Sequence, residues 1–499
     1  MYTNLKRFGT LSLVVLLLVL AATGAASCGK SGDGGPTKPA NATEGPGGDD
    51  LNDNLPERDY NKRNFNILIR SDWAYEFVPA GEGDTGEPIN DAIYRRNLEV
   101  SERFNINVRT IALPGNWGDR TNFMNTLTNN VMAGDPTYDL VAGYAAYIGI
   151  VVPNGVFMNM KDMQYLNFNK PWWSQDAIRE FAVGDKLYLC TGDLSLAMWK
   201  SISCMFFNKQ MIADYGLENP YELVKSGKWT LDKMTEMIKE VSRVTEGTLD
   251  TSNNIYGIAF QNTHLTYNWQ YAFGQPTTLK DKDNIPYIAI ETPKTEAIMS
   301  KMIDFLYYTE GVHFTGETAS LPFNPFGRSI FQEDRVLFLP DYLGSAETLR
   351  NMETDFGIIP YPKWDLDQKE YYTTTHDGVS LFGIPRSVSD PEACAIIMEA
   401  LCAESYKRVV PAFYDVSLKG KITRDQESEE MIDLIRDSVV QNFGYVFNNC
   451  TTEGGTFGVT LRMLVVSADK NYASYMAANR DRLALRFDNY IQAVLDLED

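Results

Sequence analysis

Aromatic and acidic side chains stand directly after several segments whose composition predicts buried β-strands. Trp73 follows the first such segment, Tyr144 and Tyr147 follow the third, and Asp193 and Trp199 follow a later one. An aromatic ring can stack on the C–H face of a bound ring, and a carboxylate accepts hydrogen bonds from hydroxyl groups. These residue types at these places therefore indicate a binding site for a polar ligand.

A second group of candidates adjoins two further predicted strands. Asp341 and Tyr342 follow one of these strands, and His376 and Asp377 precede the other. Loops at the carboxyl ends of parallel strands are the usual ligand sites of open α/β sheets. The rings expected to stack are Trp73, Tyr144, Trp199 and Tyr342. The expected hydroxyl acceptors are Asp193, Asp341 and Asp377, with His376 as a donor.

Each candidate also has a structural alternative. Aromatic residues make up 12% of the chain, and most of them must pack in cores. Asp193 and Asp377 adjoin glycines and could form turns instead. His376 could equally be a buried structural histidine. The pair Trp172–Trp173 and the single Trp229 are predicted to pack rather than bind.

Signatures of catalysis and of metal binding are missing from the sequence. It contains no G-x-S-x-G elbow, no phosphate-binding loop and no dinucleotide fingerprint. The three histidines lie far apart without metal-ligand spacing, so no metal and no cofactor is predicted. Because the chain has 66 acidic residues, a glycoside hydrolase that uses paired carboxylates stays open as an alternative.

The first 28 residues predict export from the cell. Lys6 and Arg7 precede an apolar run over 11–22, which is shorter than the about 20 residues that a membrane-spanning helix needs. Small residues and then Cys28 follow, so residues 1–27 are predicted to be a signal peptide. The ending resembles a bacterial lipobox, which implies a lipid on Cys28. Ala25 stands where that motif usually has Leu, so cleavage after Ala26 stays open.

Composition separates a tether from a globular body. Residues 28–60 are rich in Gly, Pro, Ser, Asn and Asp and predict a flexible tether. The net charge of −21 argues against nucleic-acid partners and against adhesion to anionic lipids, so membrane contact is expected through the lipid anchor alone. Cysteines beyond Cys28 show no CxxC spacing and are predicted to be free and buried, with a disulfide as the alternative.

Strand and helix candidates alternate along the body. Strands at 65–70, 105–113 and 138–143 alternate with helices that begin at Pro88 and run over 122–132, which predicts a parallel sheet covered by helices. Further strands are predicted at 186–190, 203–207, 336–339, 356–359 and 378–384. Further helices are predicted at 231–244, 391–403, 427–440 and 457–497.

The order of these segments resembles a known family. Tyr138-Asp-Leu-Val, Cys204-Met-Phe-Phe-Asn-Lys and Phe356-Gly-Ile-Ile-Pro-Tyr-Pro are similar, in this order, to segments of bacterial extracellular solute-binding proteins of family 1, the carbohydrate-type lipoproteins of ABC importers. The resemblance covers about residues 62–499, and it is the ordered set rather than any one motif that is specific. The segment 245–254 departs from relatives that carry a calcium-like loop, because it lacks the spaced Asp ligands.

The resemblance implies an α/β, two-lobed periplasmic-binding-protein-like fold of type II. Each lobe would hold a mixed, mostly parallel sheet flanked by helices, with extra helices at the C-terminus. Lobe 1 is expected to comprise 61–203 and 350–405, and lobe 2 to comprise 204–349 and 406–499.

The implied function is capture of a sugar or oligosaccharide between the lobes and its delivery to ABC permease subunits. The chain would act as a monomer at the outer face of the cytoplasmic membrane, on a Gram-positive-type cell surface, and would not be an enzyme. Three alternatives stay open: a receptor for peptides or other solutes, a surface glycoside hydrolase, and an adhesion or sensing module.

Overall fold

Two larger β-sheets and one two-stranded sheet organise the described residues in this computed structural model. The structure describes residues 51–498 except 82, 245–252, 261–265, 315–324, 423–424 and 450–454, and all of them fall in one compact unit. The strands are β1 (Arg63–Arg70), β2 (Ile106–Leu113), β3 (Leu140–Tyr144), β4 (Ser203–Asn208), β5 (Tyr256–Phe260), β6 (Thr278–Lys280), β7 (Pro286–Ile288), β8 (Val312–Phe314), β9 (Val336–Tyr342), β10 (Phe356–Ile359) and β11 (Ser380–Gly383).

Helices cover both sheets. They are α1 (Pro88–Phe104), α2 (Arg120–Met132), α3 (Ala145–Ile148), α4 (Gln175–Phe181), α5 (Leu196–Lys200), α6 (Lys209–Asp214), α7 (Pro220–Lys225), α8 (Leu231–Val241), α9 (Tyr267–Ala272), α10 (Pro293–Tyr308), α11 (Pro325–Gln332), α12 (Ala346–Leu349), α13 (Pro391–Glu404), α14 (Gln426–Asp437), α15 (Phe443–Val446), α16 (Thr460–Ser467) and α17 (Tyr472–Leu495). Short 3-10 turns lie at Ser71–Glu76, Gly149–Asn154 and Leu343–Ser345, and π-helical turns at Ser405–Val409 and Ala412–Ile422. No helix among the described residues is long and apolar enough to cross a membrane.

The first sheet has the strand order β11-β3-β1-β2 and, with the helices packed on it, forms lobe 1. β1 runs parallel to β2 and to β3, whereas β11 runs antiparallel to β3. Arg70 pairs with Leu113, and Tyr144 pairs with Ser380. One edge of this sheet, the edge that runs across the strand ends, is therefore formed by the carboxyl ends of β1, β2 and β3 and by the start of β11.

The second sheet has the order β10-β4-β9-β5-β8 and forms the centre of lobe 2. Every residue of β9 is buried, as its apolar composition predicts. β9 is parallel to β5 and antiparallel to β4, so Tyr342 at its end pairs with Ser203 at the start of β4. The mixed α/β architecture with two main sheets confirms the predicted fold class.

Local capping explains why several helices begin where the sequence predicts. The Thr230 hydroxyl accepts from the Lys233 amide at the start of α8, and the Asp390 carboxylate accepts from the Ala393 amide at the start of α13. Pro391 occupies the first turn of α13, where its missing N–H costs nothing.

Short hydrogen-bonded ladders connect the two lobes, and we call residues 201–203 and 374–376 the hinge segments. The Ser203 amide donates to the Thr374 carbonyl, and the His376 amide donates to the Ser201 carbonyl, both at 3.0 Å. Thr373 exchanges similar bonds with Ser438 and Val440, so a third stretch of chain runs beside them.

Several predicted boundaries are corrected by the structure. β10 pairs with β4 in the sheet of lobe 2, so residues 350–359 do not belong to lobe 1. Residues 443–447 and the second half of α17 pack in the core of lobe 1, whereas the resemblance implies lobe 2 for 406–499. The predicted helix 457–497 is two helices, because Ala468 adopts a left-handed conformation with φ of 49°.

The predicted strand 186–190 is not a strand. Its apolar residues are buried, but its residues form only isolated bridges. Lys186 pairs with Val183, and Cys190 exchanges two backbone hydrogen bonds with Phe382 of β11. The apolar composition of this segment predicts that it is buried, but it does not distinguish a strand from an irregular buried segment.

Part of the segment assigned to the tether packs against the body. The Asp53 carboxylate is buried and accepts two hydrogen bonds from Arg103, and the Tyr60 amide donates to the Phe104 carbonyl. The predicted signal peptide, Cys28 and most of the predicted tether lie outside the described residues, as does most of the segment 245–254.

The cysteines and the paired tryptophans lie in the interior. Cys190, Cys204, Cys394 and Cys402 are buried and free, and Cys450 lies outside the described residues. Trp172 and Trp173 are buried and donate their indole N–H groups to the two oxygens of Glu399, both at 2.9 Å. The predicted packing role of this pair is therefore confirmed, and Trp229 is likewise buried.

Candidate functional site

Arg70, the last residue of β1, lies at the centre of the candidate site. Its side chain is fully buried, and its guanidinium carbon lies 4.7 Å from the centre of the Trp73 ring and 4.5 Å from that of Tyr144. One terminal nitrogen, Nη2, donates to the Gly378 carbonyl at 2.5 Å. The site thus begins with a cation that contacts two aromatic faces.

Two donors of Arg70 are not used within the described part of the chain. Nε and Nη1 have no hydrogen-bond acceptor there, and Asp72 Oδ2 lies 3.8 Å from Nη1, beyond hydrogen-bonding distance. A buried donor without an acceptor is costly, most of all on a charged group. This orphaned pair indicates a place for the oxygen atoms of a ligand.

The aromatic candidates from β1 and β3 meet around this arginine. Trp73 and Tyr144 are both half-buried, and Tyr144 packs against Tyr147 with ring centres 5.2 Å apart. Gly378 allows Trp73 to approach, because a Cβ there would lie 3.2 Å from the indole. Burial raises the pKa of Tyr144, so its hydroxyl stays neutral and can donate.

His376 lies in a hinge segment and contacts residues of both lobes. Its Nδ1 accepts from the Gly378 amide at 2.7 Å, and its ring meets Tyr342 of β9 edge-on at 5.4 Å. Burial, and then the charge of Arg70, lowers its pKa to about 4. The imidazole is therefore neutral near pH 7, and because Nδ1 accepts, Nε2 carries the proton. In this state Nε2 can donate a hydrogen bond, and the donor role of His376 towards a ligand stays a prediction.

Asp377 lies beside this histidine. Asp377 Oδ1 is 3.4 Å from His376 Nδ1, and the negative charge of Asp377 contributes to the raised pKa of Tyr144. Its side chain is only 16% exposed, which leaves a small accessible surface. The structure thus gathers four predicted residues, Trp73, Tyr144, His376 and Asp377, around Arg70.

Three other candidates are committed to internal contacts. Asp341 is fully buried and accepts from Arg328 Nε at 2.6 Å and from Arg328 Nη2 at 3.0 Å. Tyr147 is buried and donates its hydroxyl to the Gly115 carbonyl at 2.8 Å. Tyr342 is 3% exposed and packs under His376. These positions support the site from inside rather than facing a ligand.

Asp193 and Trp199 bind each other through their side chains. The Trp199 indole donates to Asp193 Oδ1 at 3.1 Å, and its ring meets Tyr414 edge-on at 5.9 Å. Asp193 is buried, and this burial raises the pKa of its carboxyl well above the usual range. Because Asp193 is enclosed and its Oδ1 already accepts from Trp199, its role as a hydroxyl acceptor stays a prediction.

Arg70 and Asp72 also belong to the candidate site, although they are not among the residues predicted for it from the sequence. Arg70 ends the apolar run Phe65–Ile69, where a charged residue interrupts a buried strand at its carboxyl end. That interruption was the available signal, because a buried charge needs a partner. Among the described residues, no group of three metal-ligating side chains comes together.

Comparison with known proteins establishes the fold. No protein-family model and no curated protein matches the sequence. The galacto-N-biose/lacto-N-biose I-binding protein of a Bifidobacterium longum ABC transporter, solved with lacto-N-biose, matches with a TM-score of 0.53 and 13% identity, over 88% of this chain and 97% of its own.

Two further structures give the same result. UspC of M. tuberculosis matches with a TM-score of 0.54 and 12% identity, over 84% of this chain and 99% of its own. An ABC-transporter solute-binding protein of Thermotoga lettingae, bound with α-D-tagatose, matches at 0.52 and 15%, over 87% and 100%. At these identities the likeness concerns the architecture alone, and the chain shares the two-lobed, periplasmic-binding-protein-like fold of these structures.

Proposed function

We propose that the protein is the extracellular substrate-binding lipoprotein of an ABC importer. It captures a sugar or oligosaccharide between its lobes and delivers it to a membrane permease. The observation that carries this proposal is the buried Arg70, which contacts two aromatic rings and has two unused donors at the edge of the lobe 1 sheet. The shared fold supports it, because structures with that fold were solved with lacto-N-biose and α-D-tagatose.

The chemistry of the site matches a polyhydroxylated ring. Sugar hydroxyls both donate and accept, so they need donors such as Arg70 and neutral His376 beside acceptors such as Asp72 and Asp377. The apolar faces of the ring need flat aromatic surfaces, which Trp73 and Tyr144 supply. All of these groups hold a ligand in place, and none of these contacts breaks a bond.

Closure of the lobes follows from where these groups lie. Arg70, Trp73 and Tyr144 belong to lobe 1, whereas His376 adjoins the hinge and contacts Tyr342 of lobe 2. A ligand that touches both sides stabilises the conformation in which the lobes approach each other. That closed form is the one a permease would recognise.

The test is calorimetric titration with mono- and oligosaccharides and with a peptide panel as the alternative ligand class. We expect at least one sugar to bind, and Trp73→Ala to weaken that binding about tenfold or more, since 1.4 kcal/mol corresponds to tenfold. The matched control is Tyr308→Ala, which removes a ring that is 70% exposed on α10 of lobe 2. Binding of peptides alone, or release of reducing sugar from a polysaccharide, would contradict the proposal.

A further inference from the structure

The loop that follows β2 is attached directly to the candidate site. Gly115 packs against Arg70 so closely that a Cβ on it would lie 2.5 Å from Arg70 Cγ. The Gly115 amide donates to Asp72 Oδ1 at 3.3 Å, and its carbonyl accepts from the Tyr147 hydroxyl. These contacts hold the loop at the same sheet edge as Arg70 and Trp73.

Trp117 is presented from this loop in a fixed but exposed position. Its ring is 45% exposed, and it is the only one of the eight tryptophans with an exposed side chain. The Arg120 guanidinium carbon lies 4.4 Å from the ring centre, and Arg120 Nη1 donates to the Trp117 carbonyl at 2.6 Å. Asn116 Oδ1 accepts from the Gly118 amide at 2.7 Å and fixes the turn. An indole held this way keeps an apolar surface open to solvent.

Strand order places the aromatic residues in a row. Along the edge, β3 ends at Tyr144, β1 leads to Trp73, and β2 leads to Trp117. Neighbouring strands are about 4.8 Å apart, so this row extends over about 10 Å. Trp117 is two positions after Gly115, which limits the distance between their Cα atoms to about 7 Å. Trp117 therefore lies next to the Arg70 cluster, on the side of β2, which is the outermost strand of this sheet.

We propose that Trp117 forms a second sugar-binding position, so that the ligand is an oligosaccharide of at least two units. One unit occupies the position formed by Arg70, Trp73 and Tyr144, and the next stacks on the indole of Trp117. Arg120 sets the orientation of that ring through its contact at 4.4 Å. This inference rests on the proposed function and specifies the class of its ligand.

The experiment compares affinities for ligands of increasing length. Wild type, Trp117→Ala, Trp117→Phe and Trp73→Ala are titrated with glucose, galactose, mannose, xylose and their linear oligosaccharides of two to six units. We expect Trp117→Ala to weaken oligosaccharide binding about 10- to 100-fold while single-unit affinity changes less than about twofold. Trp117→Phe should keep most of the affinity, and Trp73→Ala should weaken both ligand classes.

The outcomes separate this inference from the function on which it rests. Equal losses for single units and oligosaccharides in Trp117→Ala, or no loss at all, would overturn the second position and leave the sugar-binding function intact. If wild type binds none of these sugars, the proposed function fails and the second position fails with it. Tyr308→Ala, whose ring contacts Lys470 at 4.8 Å in lobe 2, serves as the control for removal of an exposed aromatic–cation pair.

Discussion

At the residue scale, Arg70 shows how one charged side chain can organise a site. It is enclosed by two aromatic rings and Gly378, yet two of its donors have no acceptor among the described residues. Asp341 differs from Arg70, because both of its carboxylate oxygens accept hydrogen bonds from Arg328. Whether a buried charge serves a ligand or the fold is decided by which of its hydrogen-bonding atoms the protein itself uses.

His376 makes stability depend on pH in a predictable direction. Its pKa is lowered to about 4 in the folded chain, mainly by burial, against about 6.5 when unfolded. Between these values the unfolded chain binds more protons than the folded chain. The contribution of His376 to the free energy of unfolding is therefore fully present above pH 6.5 and is lost as the pH drops towards 4. The contribution is about 3 kcal/mol by this linkage.

His376→Gln tests this linkage. Urea unfolding of wild type and of the variant is measured from pH 4 to pH 7.5, and the wild-type free energy of unfolding should fall more steeply below pH 6.5. Glu399 contributes with the opposite sign, because burial raises its pKa to about 7 and its protonation stabilises the fold as the pH falls. Wild type and the variant both contain Glu399, so its contribution cancels when their curves are compared. Parallel curves for wild type and His376→Gln would refute the role assigned to His376.

At the element scale, α17 connects the cores of the two lobes. Residues of its first half pack in the core of lobe 2, and residues of its second half pack in the core of lobe 1. They are Tyr472, Met476 and Leu483 in lobe 2, and Phe487, Tyr490, Ile491 and Val494 in lobe 1. Because one rigid helix contributes to both cores, it limits how the lobes can move about the hinge segments.

Phe487→Ala should therefore destabilise the whole chain. Phe487 is 2% exposed, and truncation of a buried phenylalanine costs about 3–5 kcal/mol. Leu485→Ala on the same helix is the control, because Leu485 is 61% exposed and its removal should change stability by about 0.5 kcal/mol or less. The measurement is chemical denaturation followed by circular dichroism. Equal effects of the two substitutions would show that α17 is not packed as described.

At the scale of the whole molecule, the proposed export and lipid anchor would determine where the site works. A solute receptor without an anchor would diffuse away from its permease, and the predicted lipid on Cys28 would prevent this. We expect wild type in the membrane fraction and Cys28→Ser in the culture medium, with mass spectrometry of the mature N-terminus as the direct measurement. Ala25→Leu is the matched variant and should keep the membrane location. A wild-type protein that is found wholly in the medium would contradict the lipid anchor.

Many features of this protein follow from its sequence alone, because local interactions determine them. Strand periodicity and the caps at Thr230 and Asp390 act within a few residues, so β1, β4, α8 and α13 begin close to where the pattern predicts them. The order of these elements also indicates the two-lobed fold. The positively charged and apolar N-terminal segments likewise predict export without reference to any distant residue.

Only the tertiary structure decided which candidates share a site. Arg70 donates to the Gly378 carbonyl, which is more than 300 positions away in the sequence. Arg328 donates to the Asp341 carboxylate, and β10 pairs with β4 in the sheet of lobe 2. These pairings depend on sheet order and on register, which bring distant residues together and leave no local pattern. The sequence therefore identified the residue types and the strand ends, whereas the fold determined which of them face one another with unused hydrogen-bonding capacity.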